Sequence, residues 1–240
     1  MYDKVILRQI FDIKIASKRP KTIKQESVMI LTVGGIKGGC GKSLISTNLT
    51  VIRSLISGQR VLLVDADEQG TAGDWTDHRT GLGVTTPWTT IRLKANAVRT
   101  EVLKLSKNYD DIIIDCGGRD TASLRAALTV SDVFLVPFQP KSFDIWTTTK
   151  VSALVEEAKS LNDKLISYAF INCGCSRGSD NEDAKNILSK SDGLQMLSVV
   201  VGQRKAFSNA TAEGLGVVET PGDTKAISEI RALHTAVFGE

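Results

Sequence analysis

The stretch Gly34-Gly35-Ile36-Lys37-Gly38-Gly39-Cys40-Gly41-Lys42-Ser43 decides how the rest of the chain is read. Apolar and β-branched residues, Val28 to Val33, lead into it, and a helical pattern, Leu44 to Ile56, leads out of it. Strand, glycine-rich turn, Gly-Lys-Ser and helix, in that order, is the layout of a loop that cradles phosphate. Glycines let successive backbone N–H groups turn inward on phosphate oxygens, where a Cβ would obstruct them. The N-terminus of the following helix adds partial positive charge at the same spot. Lys42 brings a full charge to the terminal phosphates. Ser43 brings a hydroxyl for Mg²⁺, a hard cation that takes oxygen ligands.

Two later blocks fit the same chemistry. The strand Arg60 to Val64 delivers Asp65-Ala66-Asp67-Glu68-Gln69-Gly70 at its carboxyl end, which is where ligands of open parallel sheets bind. Asp65 is placed for the Mg²⁺ shell, and Asp67 for orienting or deprotonating an attacking water. The strand Asp110 to Asp115 is apolar and ends in an acid, the Walker B arrangement. A rigid strand holds Asp115 where it can bind Mg²⁺ through water. Cys116-Gly117-Gly118-Arg119-Asp120 follows, and its glycines allow a close approach to the γ-phosphate and a change of shape once that phosphate leaves.

The remaining pattern alternates strand and helix. Further strands are expected at Thr89–Leu93, Val133–Pro137, Leu165–Asn172 and Gln195–Val201. Helices are expected at Ala72–Arg79, Val98–Lys107, Thr121–Val130, Asp144–Leu161, Glu182–Lys190, from about Gln203 to Glu213, and at Lys225–Phe238. This is an α/β chain with a doubly wound, mostly parallel sheet: the three-layer α/β/α architecture of a P-loop NTPase. Ile227, Ile230, Leu233 and Val237 give the last helix one docking face. His78 and His234 are expected on the surface.

The chain's 240 residues suit a single such domain, placed at residues 28–240. Residues 1–27 are expected to be a basic, poorly ordered extension, an upstream leader before Met29 or an arm that touches DNA or a partner. Seven basic and three acidic side chains give residues 1–28 a net +4, while the whole chain carries +3. A basic surface on the domain must then be a local patch. No apolar run approaches the roughly 20 residues of a membrane span, and Asp3, Lys4 and Arg8 break any signal-peptide pattern. Cys40, Cys116, Cys173 and Cys175 show no Cys-x-x-Cys metal spacing, as suits reduced thiols in a cytoplasmic protein.

The loop departs from the strict pattern G-x-x-x-x-G-K-[ST], because Ile36 stands at the first glycine position. It has a second lysine instead, Lys37, opening Lys-Gly-Gly-Cys-Gly-Lys-Ser. That run resembles the deviant Walker A motif of the ParA/MinD family of ATPases. Asp65 to Gln69 resembles the family's Asp-x-Asp-Pro-Gln signature, with Glu68 in place of proline. With Asp115, the resemblance spans about residues 28 to 240.

What the resemblance implies is specific. Lys37, Gly38, Gly39, Cys40, Gly41, Lys42, Ser43 and Leu44 would hold ATP, and Asn172 would read the adenine edge. Ser43, Asp65 and Asp115 would hold Mg²⁺, and Lys37, Lys42 and Asp67 would carry hydrolysis. Two subunits would sandwich two ATP molecules, with Lys37 reaching the partner's phosphates. As in small plasmid ParA proteins, Arg204 and Lys205 after the last strand are the DNA-contact candidates. A partition ATPase of this kind would be cytoplasmic and nucleoid-associated. It would bind DNA without sequence preference as the ATP dimer, and a centromere-binding, ParB-like adaptor would trigger hydrolysis. Carboxysome-positioning relatives often lack the first lysine. The alternative, a MinD-like membrane cycle, calls for a basic amphipathic C-terminal helix, and Ser228 to Glu240 has only Arg231 as a full positive charge. Nitrogenase-type reductases and tyrosine kinases of the wider group would need bridging cysteines or a C-terminal tyrosine cluster, and neither pattern is present.

Overall fold

The structure, a computed structural model, describes residues 28–119, 121–140 and 145–239. The expected extension at residues 1–27 lies outside the described residues. Seven strands form one sheet in the order β3-β2-β4-β1-β5-β6-β7. They are β1 (Met29–Val33), β2 (Val61–Asp65), β3 (Thr89–Arg92), β4 (Asp111–Asp115), β5 (Val133–Phe138), β6 (Ile166–Gly174) and β7 (Gln195–Gly202). Every pairing is parallel, so "mostly parallel" becomes wholly parallel among the described residues.

The helices are α1 (Lys42–Val51), α2 (Thr71–Gly81), α3 (Asn96–Leu105), α4 (Ala122–Leu128), α5 (Ile145–Leu161), α6 (Asp180–Leu188), α7 (Lys205–Ala212) and α8 (Thr224–Phe238). Strand alternation sorts them into two layers. On one face Ile30, Leu62, Val64, Ile112 and Ile114 pack under α3, α4, α5 and α6. On the other, Leu31, Val33, Leu63 and Ile113 pack under α1, α2, α7 and α8. Both faces are covered, which is why β2, β4 and β5 are buried along their whole length and read as continuous apolar runs.

The first helix does not run as one α-helix to Ile56. It widens into a π turn over Ile52–Ile56, where buried Arg53 forms an ion pair with Asp111 at 2.6 Å. β6 continues two residues past Asn172 to Gly174, with an irregularity in its pairing to β7 between Asn172 and Gly174. His234 is a correction: it is 6 % exposed, not on the surface, and it stacks on Phe238 with ring centroids 5.0 Å apart. It follows Ile230 by four residues, so it shares the face of α8 that docks on the sheet.

β1 is the hub of this topology. The chain fills the sheet on one side of β1 with β2, β3 and β4, then crosses to the other side for β5, β6 and β7. The loops after β1, β2 and β4 therefore meet above the carboxyl ends of adjacent strands, where a crevice opens.

Candidate functional site

Gly41 ends the loop after β1 in the left-handed region, φ 80°, as the residue before α1, and a side chain there would run into the Asn172 amide. Two amides hold this loop by its carbonyls. Asn172 donates from Nδ2 to the Cys40 carbonyl at 2.7 Å. Gln139, just beyond β5, donates from Nε2 to the Gly39 carbonyl at 2.6 Å. A trans peptide directs its N–H opposite its C=O, so pinning these two carbonyls turns the N–H groups of Cys40 and Gly41 the other way. The Lys42 side chain crosses the inside of the loop. It is 7 % exposed, and its Nζ donates to the Lys37 carbonyl at 2.8 Å. Lys37 itself is half-buried.

Asp115 is fully buried at the end of β4. Ser46 Oγ, one turn beyond Lys42 on α1, lies 2.9 Å from Asp115 Oδ1. Ser43 also hydrogen-bonds this carboxylate. Burial pushes Asp115 up to about 7; the Ser43 and Ser46 bonds oppose that rise, and the charges of Asp65 and Asp67 add to it. Asp115 Oδ2 is buried and has no hydrogen-bond partner among the described residues. A buried carboxylate oxygen without a donor, beside a serine hydroxyl, fits a hard divalent cation. Among the described residues no three His, Cys, Asp or Glu side chains cluster as a metal cage. Ser43 and Asp115 could hold such a cation.

Asp65 is occupied differently. It is 1 % exposed, its Oδ2 accepts from Gly73 N at 2.7 Å, and its Oδ1 accepts from Asp67 N at 3.2 Å. Burial raises its pKa most, while these two backbone bonds lower it. Asp65 therefore shapes its loop and caps the first turn of α2, and of these two buried carboxylates Asp115 is the one with an oxygen to offer. Asp67 lies nearer solvent, its Oδ1 accepting from Gln69 N at 3.2 Å.

The loop after β4 is wedged between these parts. A Cβ on Gly117 would stand 2.8 Å from Asp67 Oδ1, and one on Gly118 would stand 2.6 Å from the Gly38 backbone. Only glycine allows that approach. The loops together enclose a cleft of about 690 Å³ lined by Gly38, Lys42, Ser43, Asp67, Gly118 and Arg119. A second cleft, about 710 Å³, is lined by Leu44, Asn172, Gln203, Arg204, Phe207 and Thr211. Leu44 lines both. Paired clefts of this size suit a ligand with a phosphate tail and a flat head.

The structure brings Lys37 to Leu44, Asp65, Asp67 and Asp115 into one site. Asn172 borders the second cleft, but it is 1 % exposed and its amide nitrogen is spent on the loop; here it is a loop anchor. The two DNA-contact candidates differ from each other. Lys205 is exposed at the start of α7. Arg204 is no free surface cation: it forks onto Glu229 of α8 at 2.8 and 2.5 Å, and Glu229 also accepts from Gly202 N. Ser46 and Gln139 were missed from sequence. Ser46 had a signal, since it stands four residues after Lys42 on the same helix face; Gln139 had none.

Residues 31–217 match the family model described as CbiA, the CobQ/CobB/MinD/ParA nucleotide binding domain. A maintenance of carboxysome distribution protein A from Halothiobacillus neapolitanus is 29 % identical over 191 residues, covering 79 % of this chain and 86 % of that protein. A Cyanothece McdA variant solved with ATP superposes with TM-score 0.73 at 14 % identity, covering 89 % of this chain and 97 % of that one. A plasmid partition protein from Borrelia burgdorferi superposes with TM-score 0.66 at 18 % identity, covering 89 % and 99 %.

Proposed function

The chain belongs to the CobQ/CobB/MinD/ParA nucleotide-binding family, and from that membership we propose that it is an ATP-dependent dimerising switch that distributes a cargo over DNA. The observation that supports this most is the loop with two lysines. Lys42 lies inside the loop on its own backbone, and Lys37, half-buried where the loop begins, is the lysine we assign to a second nucleotide across a subunit interface.

The geometry supports a set of roles. The N–H groups of the anchored loop and Lys42 bind the phosphates of ATP. Ser43 and Asp115 would hold Mg²⁺, which would supply positive charge against the terminal phosphates. Asp67 orients the attacking water and takes its proton. Lys37 of each subunit stabilises charge on the phosphoryl group held by the other; arginine fingers acting in this way contribute on the order of 10³ to 10⁵ in rate. Adenine occupies the cleft beside Leu44. In the ATP dimer Lys205 contacts DNA phosphates without sequence preference, and a ParB-like adaptor stimulates hydrolysis and release. The ATPase domain is residues 28–240, residues 1–27 form a basic extension to it, and the protein works in the cytoplasm on the nucleoid.

The cargo of the first reading is a plasmid or chromosome. The relative from Halothiobacillus neapolitanus favours a second, in which the same DNA-borne cycle distributes a protein body. A membrane cycle is disfavoured by α8. Its Ile230, Leu233 and Val237 are buried against the sheet, at about 1.5–3 kcal/mol for each side chain, so that face is spent on the core.

One assay separates the classes: ATP turnover with DNA, with anionic liposomes, and with neither. Stimulation by DNA that fades steeply with salt supports the proposal. Stimulation by liposomes alone overturns it.

A further inference from the structure

We infer that Arg119 is a phosphate-binding residue of the chain's own nucleotide, a cation beyond the loop lysines that distinguishes a triphosphate from a diphosphate. This rests on reading the cleft as an ATP site.

Three observations carry it. Arg119 is exposed and lines the same cleft as Lys42, Ser43 and Asp67. Its position there is built in, because the two residues before it have no room for a side chain. Gly118 sits against the Gly38 backbone and Gly117 against Asp67, each closer than any Cβ would allow. The loop that carries Arg119 is thus laid on the phosphate loop itself and beside the carboxylate proposed to orient water. The charge of the cleft also leaves a task for it. Asp67 and Glu68 line the mouth, Asp115 lies beneath, and Lys42 is turned back on the Lys37 carbonyl inside the loop. A tetra-anionic ligand entering past these acids needs a cation on the outer side of the cleft. A guanidinium offers a planar fork that pairs with two phosphate oxygens at once, which an ammonium does not.

The inner phosphates would lie on the loop N–H groups and α1, so Arg119 is left to the terminal one. When that phosphate departs, Arg119 loses its partner, and the Gly117-Gly118 pair is free to shift. Its role is thus in sensing the phosphate as well as in holding it.

The test compares affinities for Mg²⁺-ADP and for a Mg²⁺-bound non-hydrolysable ATP analogue by titration calorimetry, in wild type and in Arg119→Ala and Arg119→Lys. Arg119→Ala should weaken the triphosphate analogue about ten- to a hundredfold and leave ADP within twofold, as expected for losing charge-assisted hydrogen bonds to one phosphate. Arg119→Lys should recover part of the loss. Equal weakening of both nucleotides would make Arg119 a prop for the loop and overturn the inference, as would no change in either. If wild type binds neither nucleotide, the ATP-site reading fails, an outcome distinct from both.

Discussion

Asp115 ties site chemistry to stability. Its carboxyl is raised to about 7 in the fold, above the ordinary carboxylate range near 3.9 that it returns to on unfolding. Below that ordinary value both states are protonated and burial costs nothing electrostatically. As pH rises through the window up to about 7, the unfolded chain gives up its proton first, so stability falls, and above that window the full cost of a buried charge is present. Asp115→Asn removes the cost and keeps an acceptor for Ser46. The variant should melt higher than wild type without metal at pH 8, by roughly 5 °C, with the gain shrinking at pH 5. It should also lose any Mg²⁺ dependence of nucleotide binding. Differential scanning calorimetry at the two pH values checks the first part; a constant gain across them would mean that Asp115 does not titrate there. At this scale the sequence was informative where a residue type belongs to a motif. That Lys42, Ser43, Asp67 and Asp115 would come together was legible, because a phosphate site requires such groups at strand ends and loop turns. The backbone partners of Asn172 and Asp65 were not legible: Asn172 donates to the Cys40 carbonyl 132 positions away, and Asp65 accepts from the N–H of Gly73. No local pattern records such bonds.

Among the elements, α2 is tied to distant neighbours through one buried side chain. Arg79 is fully buried. Its guanidinium donates to Glu219 at 2.7 and 2.8 Å, to the Gly214 carbonyl at 2.9 Å and to the Thr85 carbonyl at 3.0 and 2.6 Å. It also lies over Trp75 and Trp88, 5.8 and 5.0 Å from their centroids. On the same helix His78 meets the Ala212 carbonyl at the end of α7, 3.0 Å away. The helix that leaves the Asp65–Gly70 loop is thereby joined to the segment following α7. Arg79→Leu would take its cation from Glu219, which keeps only the Gly216 N–H among the described residues, and its donor from two carbonyls, and should cost about 3–5 kcal/mol, the usual penalty for breaking a buried pair, read from urea melts. A loss under 1 kcal/mol would show that the joint carries little. The element boundaries themselves were largely legible from apolar period and glycine stops. His234 shows the limit of reading by residue type: polarity placed it outside, although its spacing from Ile230 and Val237 already put it on the docking face.

For the whole molecule, the wholly parallel sheet gathers the loops after β1, β2 and β4 on one edge, and that edge holds every candidate ligand group. Lys37, at the start of the loop after β1, is half-buried on this edge. If a second copy closes it, Lys37→Ala should keep nucleotide affinity in the monomer within about threefold while losing the ATP-dependent dimer, as expected of a contact made only across the interface. Analytical ultracentrifugation with a non-hydrolysable analogue reads this directly, and an undiminished dimer would refute the shared-lysine arrangement. The α/β/α class was legible because both layers leave their mark on the strands as unbroken apolar runs. The strand order was not, because crossing from one side of β1 to the other is decided by packing between elements far apart in the chain.

Trp75 and Trp88 lie nearly parallel, 4° between ring planes and 6.0 Å between centroids, and they are two of only three tryptophans in the chain. Coupling between indoles that close depends on the angle between their in-plane transition moments, so a change in how one ring is turned against the other would alter the aromatic circular dichroism. The protein thus carries an optical gauge at the joint behind its nucleotide loops, and a tilt of that helix can be followed in unlabelled material.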